Sequence, residues 1–201
     1  MTLTTEILIF ETSEEFRNDP GIAIPASDVA LKAKGVHPPL YYGKQIEEPS
    51  TWGYIILNWD DYESHKALMD GPTYPDVIAG LKSSFGGSAR TEMYHVKFPA
   101  PMIALEKPVT EVAIVSLKAP ENRAAVVDIL TKFSEASKNM FVFGQTREDE
   151  NKYVLIAGWQ TIEEHLEAGA KPEVAPAREK LLSLVNKEHL YHTKLLQYPK
   201  L

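Results

Sequence analysis

Cysteine is absent from the 201 residues, which rules out disulfides, thiolate metal sites and cysteine nucleophiles. Positive charge is in short supply: 21 Lys and Arg stand against 28 Asp and Glu, a formal net charge of -7. No basic run interrupts that balance, so nucleic acid and anionic membrane surfaces are poor partners. No stretch approaches the roughly 18 uninterrupted apolar residues of a membrane helix, and the opening MTLTTEILIF has neither the basic flank nor the apolar core of a signal peptide. The expected location is the cytoplasm. Also missing are a phosphate-binding loop, a glycine-rich dinucleotide turn, a nucleophile elbow and a metal-spaced set of carboxylates and histidines. No cofactor and no metal are therefore expected. What remains is ordinary globular material, 44% hydrophobic and 24% charged, enough for a substantial core.

The strongest positive signal is internal repetition. MYHVKF, ending at Phe98, is answered by LYHTKL, ending at Leu195. At a nearly constant offset Trp59 meets Trp159, Glu63 meets Glu163, His65 meets His165 and Pro72 meets Pro172. Further on, Tyr94, His95 and Lys97 meet Tyr191, His192 and Lys194, and upstream TEILIF from Thr5 answers TEVAIV from Thr110. An ordered series of this kind divides the chain into a first repeat over residues 1–99, a linker over 100–108 and a second repeat over 109–201.

Each repeat reads as the same string of elements. Strands rich in β-branched residues are expected over 6–12 and 111–117. In the second half Val126, Ile129, Leu130 and Phe133 recur at helical spacing. In the first half Pro20, Gly21 and Pro25 forbid a continuous helix there, predicting a loop over 18–25 and a shorter helix over 27–34. Strand pairs follow over 40–45 with 53–59 and 140–146 with 152–159, joined by the polar turns EEPS and EDEN. A second helix starts after each Trp, with Asp60 and Glu63 as the expected capping pair in one half and Thr161 and Glu164 in the other. A last strand carries each Tyr-His pair.

The order β-α-β-β-α-β, written twice, is the ferredoxin-like pattern of an antiparallel four-stranded sheet with two helices on one face. The fold class is α+β. Apolar residues on strands such as GYIILNW are too numerous for an exposed face, so the two sheets are expected to pack into one pseudo-dimeric α/β barrel within a single polypeptide. A further homodimer is allowed but not required. With Trp leading into an acidic helix start and Glu-x-His, the doubled pattern resembles the dimeric α/β-barrel superfamily of antibiotic-biosynthesis monooxygenase-like proteins, in tandem form. Where haem-degrading members of that superfamily carry a Trp and a haem-ligating His, this sequence has Leu68 and Ile78 in one half and Ala168 and Arg178 in the other. Plant polyketide cyclases of the fold use two histidines near positions occupied here by Tyr74 and Gly53, or by Val174 and Lys152.

The candidate chemistry lies in histidine and tyrosine. His65 and His165 sit on matching helix faces, as a general base or polar anchor, or else as half-buried residues that orient the helix. Strand alternation places His95 on the opposite face from Tyr94, and His192 opposite Tyr191. Trp59 ends its strand as an aromatic platform or a core plug. Tyr42, Tyr54, Asn58 and Tyr74 have non-polar counterparts in the second half, so the working site is expected in the first, with residues 19–25 as a lid. The expected catalytic residues are His65, Tyr74 and His95. The expected binding residues are Tyr42, Tyr54, Asn58, Trp59, His165 and His192. The function these imply, with the resemblance, is a small cofactor-free enzyme acting on an apolar polyketide- or terpenoid-like molecule by cyclisation, dehydration or cofactor-independent oxidation. The alternatives are a non-catalytic ligand-binding or stress-associated protein and, third, a haem-dependent enzyme.

Overall fold

The computed structural model describes residues 2–87 and 90–200. They divide into two compact units, one running to Lys97 and taking in the chain from Leu195, the other spanning Phe98–Lys194. In the first unit β1 (Thr4–Glu11) leads through α1 (Glu14–Asn18) and α2 (Ile24–Ala30) to β2 (Val36–Gln45) and β3 (Trp52–Trp59). α3 (Tyr62–Met69), α4 (Tyr74–Leu81) and β4 (Thr91–Val96) follow, and the strand order is β4-β1-β3-β2. The second unit repeats the plan with β5 (Val109–Leu117), α5 (Arg123–Ala136), β6 (Phe141–Gln145), β7 (Lys152–Trp159), α6 (Ile162–Ala170), α7 (Ala175–Leu184) and the part of β8 (Val185–Tyr198) that runs to Lys194. Its order is β8-β5-β7-β6. Each unit is thus an antiparallel ferredoxin-like sheet with helices, and the fold class is α+β.

Alternation along β1 sorts the first unit's residues. Glu6, Leu8 and Phe10 face the helices, while Ile7 and Ile9 are buried on the other side. The same parity on β3 puts Ile55, Leu57 and Trp59 on the helix face and Tyr54, Ile56 and Asn58 on the opposite one.

Local chemistry departs from expectation at four places. The segment expected as a loop over 18–25 is a 3-10 turn, Pro20–Ala23, followed directly by α2. Asp19 caps that turn by accepting from the Gly21 N–H, and Pro25 falls in the first turn of α2, where a missing N–H costs nothing. α2 ends at Ala30, short of the expected 34: the N–H groups of Lys32 and Ala33 close tight turns onto Val29 and Ala30, and Gly35 then takes φ 82° to enter β2. The cap of α3 is Asp61, which accepts from the Ser64 N–H, because the Asp60 carboxylate is engaged by His37 Nε2 at 2.6 Å. Residues 103–106 of the expected linker form a 3-10 turn packed on β5 and β7.

The two units fill their helix faces differently. In the second, α5 lays Val126 and Leu130, both fully buried, over the sheet, with Phe133, Phe141 and Phe143 packed around them. In the first, the proline-shortened α2 offers Ala26, Ser27 and Ala30 instead. α2 also runs hard against α4: a Cβ added to Gly80 would lie 2.9 Å from the Ala26 backbone nitrogen. Small side chains over a sheet of medium-sized ones leave space, and here they leave a cavity.

Candidate functional site

The cavity occupies about 290 Å³ between the sheet and helices α2, α3 and α4. Its walls are apolar, with Leu8, Leu40, Leu57, Leu68, Val77 and Met93 among them, and no lysine or arginine among the described residues lines it. Ile78, 45% exposed, and exposed Thr91 lie where it meets solvent. Glu6, Trp59, His65 and Tyr74 bring polar atoms to it.

Four of the first unit's side chains form one network. Trp59 Nε1 donates to Glu6 Oε2 at 2.9 Å, and the indole stacks on the His65 ring at 4.7 Å between centroids. His65 Nδ1 lies 2.7 Å from His95 Nε2 and 3.5 Å from Glu6 Oε2. The backbone explains the convergence: Glu6 and His95 are cross-strand partners on one face, and α3 lowers His65 onto them. Trp59 thus holds Oε2, and Glu6 is one of the residues that line the cavity. With Nδ1 of His65 committed to His95, Nε2 is its available nitrogen.

Burial sets the protonation states. Glu6 is pushed up to about 7 by loss of solvent, against the Trp59 hydrogen bond and the His95 charge, which both pull it down. His65 is lowered to about 4, by burial first and then by His95. Tyr74 is raised by burial and by the nearby Glu6. Near neutral pH the site therefore holds an uncharged imidazole beside a carboxyl balanced between its two forms. Trp59→Phe keeps a stacking ring but deletes the donor, so the Glu6 midpoint should move above about 7; a carboxyl ¹³C NMR titration that shows an unchanged or lower midpoint would contradict this network.

Of the residues expected from sequence, the structure brings together His65, His95, Trp59 and Tyr74. Tyr42 lies on the same sheet face, in the adjoining apolar cluster. Tyr54 and Asn58 do not join them: both belong to the opposite face of β3, where Asn58 Oδ1 accepts from Thr5 Oγ1 at 2.8 Å. His165 and His192 lie in the second unit, in a matching network. There Trp159 Nε1 donates to Glu111 Oε2 at 3.2 Å, and Trp159 stacks on His165 at 4.9 Å. His165 Nδ1 lies 2.8 Å from His192 Nε2. The segment over 19–25, expected as a lid, packs Ala23 and Ile24 into the apolar cluster, while α2 behind it supplies the cavity wall. Leu68 and Ile78, at the haem-degrading positions, are both apolar wall. Glu6 and Glu111 were not expected as site residues; the signal for them was the repeated Thr-Glu at Thr5 and Thr110, a charge held twice at one place in an apolar strand.

Neither a protein-family model nor a curated protein matches the chain. Solved structures do. A candidate monooxygenase from Fusobacterium nucleatum subsp. nucleatum aligns over 100% of this chain and 99% of its own, with a TM-score of 0.69 at 16% identity. An anthrone oxidase-like protein aligns over 100% of this chain and 95% of its own, with a TM-score of 0.72 at 11% identity. A candidate chlorite dismutase covers 98% of this chain and 95% of its own, with a TM-score of 0.58 at 10% identity. At such identities the likeness is one of fold. The shared fold is the α+β one described above, with two ferredoxin-like units in a single chain. No helix among the described residues is long and apolar enough to cross a membrane.

Proposed function

We propose that the first unit is a cofactor-free enzyme that takes an uncharged apolar molecule, polyketide- or terpenoid-like, into its cavity and removes a proton from it with Glu6. One observation carries this reading: a carboxyl balanced near pH 7 on the wall of an otherwise apolar cavity, the condition under which a general base works best at physiological pH. Trp59 holds the carboxylate by its N–H, His65 packs beside it, and Tyr74 is the hydroxyl that can donate to an oxygen on which charge develops. Loss of the proton leaves an enolate or carbanion, which then cyclises, expels a β-hydroxyl as water or reacts with dioxygen. The fold shared with structures named as candidate monooxygenases and as anthrone oxidase-like fits the last of these routes.

A second reading is favoured by the recurrence of the Trp-Glu-His-His network in both units, as a purely structural role would require. In that case the protein binds a small ligand without transforming it. Native mass spectrometry of the freshly purified protein should identify a co-purifying neutral molecule. Incubation of the complex in D₂O should then place deuterium on a ligand carbon in wild type and not in Glu6→Gln. A bound ligand that takes up no deuterium would leave the binding-only reading.

A further inference from the structure

We propose that Glu111, His165 and His192 of the second unit form a binding site for a divalent metal ion of the zinc, cobalt(II), nickel or iron(II) type. The proposal is independent of the chemistry assigned to the first unit. Glu111 on β5 and His192 on β8 are direct cross-strand partners, so their side chains leave the sheet on one face. His165 descends on them from α6, and the donor atoms of all three lie within 4.8 Å of one another. Two imidazoles and one carboxylate suit borderline ions and not magnesium or calcium, which prefer all-oxygen shells.

One of the separations is already that which an ion imposes. Two ligands about 2.1 Å from a tetrahedral centre sit about 3.4 Å apart. His165 Nε2 and Glu111 Oε2 are already 3.3 Å apart. His165 Nδ1 and His192 Nε2, at 2.8 Å, share a proton. Ligation through His165 Nε2 and Glu111 Oε2 requires the His165–His192 hydrogen bond to open and the His192 ring to turn its Nε2 toward the ion; His165 keeps the proton on Nδ1, and both imidazoles bind in their neutral form.

The comparison with the first unit singles out this copy. His65 directs the same nitrogen, Nδ1, toward both Glu6 and His95, and its side chain is only 3% exposed. His165 divides its two nitrogens between Glu111 and His192, and its side chain is 19% exposed, so an ion can reach it. Trp159 does for this site what an outer-shell partner does for a metal: its N–H orients the carboxylate, and its face fixes the plane of the ligating ring. Three protein ligands leave room for water in the remaining coordination position. Sequence spacing hides the set, because its members come from two strands and a helix.

The test is titration of chelator-treated full-length protein with Co²⁺. One equivalent should produce the visible ligand-field bands of a four- or five-coordinate ion, and the proton NMR spectrum should show hyperfine-shifted ring protons from two histidines. Glu111→Gln and His192→Gln should each weaken Co²⁺ binding by about a hundredfold or more, and excess Mg²⁺ or Ca²⁺ should not compete. The absence of bands at stoichiometric Co²⁺, or an unchanged affinity in a folded Glu111→Gln protein, overturns the site. Should both variants misfold, the wild-type spectrum decides: shifted signals from two histidines support the site, and their absence overturns it.

Discussion

Glu6→Gln is expected to lower turnover of the true substrate by about a hundredfold or more, the usual loss when a general base is removed, while the protein stays folded. Glutamine matches the shape of glutamate and can still accept from Trp59 Nε1, so the network keeps its geometry and loses only its ionisable oxygen. The same change should alter stability in a direction that identifies the cause. Glu6 is raised from 4.5 to about 7, so the folded chain keeps a proton that the unfolded chain releases. Its favourable contribution is complete below about 4.5 and is lost as the pH rises through 7; the shift amounts to about 3 kcal/mol. His65, lowered from 6.5 to about 4, works the other way, and its contribution is lost as the pH falls from 6.5 toward 4. The two oppose each other between roughly 4.5 and 6.5, where wild-type stability should be nearly flat. Relative to wild type, Glu6→Gln should therefore gain stability between about pH 4 and pH 8, by up to about 3 kcal/mol in denaturant titrations. A stability difference that ignores pH would show that Glu6 is not the buried acid described here. Full turnover in the folded variant would remove it as the base.

The second large effect is expected from filling the cavity without touching its polar atoms. Ala30 lies on α2, buried, with its methyl group on the cavity wall. In Ala30→Phe the ring can occupy the space of about 290 Å³ that the small residues of α2 leave open. Binding of a neutral apolar dye and of the native ligand should be lost. The melting temperature should hold or rise, since cavity filling adds contacts where the wild type has none. Unimpaired ligand binding in the folded variant would place the binding site elsewhere.

Some of this was readable in advance and some was not, and the reasons are physical. Alternation already separates Trp59 from Tyr54 and Asn58 as odd and even positions of one strand, so a single pocket could not hold all three; which face carried the helices was not readable from β3 alone. The capping residue of α3 was misplaced by one because Asp60 and Asp61 are chemically equal candidates. The choice between them rests on His37, which is distant in sequence and adjacent only through β2. Glu6 is not legible as a site residue in the sequence, because a carboxylate in a strand ordinarily faces water. Its burial comes from Trp59 and His65, residues supplied by two other elements.

The sequence by itself determined the duplication, the order of elements in each unit and the break in the first unit's helix at Pro20, Gly21 and Pro25. These follow from local chemistry: side-chain period, missing N–H groups and recurrence at a fixed offset. Only the tertiary structure decided that Glu6, His65, His95 and Trp59 meet, that Glu6 titrates near 7, and that the shortened helix leaves a cavity beside it. Contact, desolvation and empty volume are each properties of several elements at once, and none can be assigned to a residue until the strands are registered and the helices laid across them.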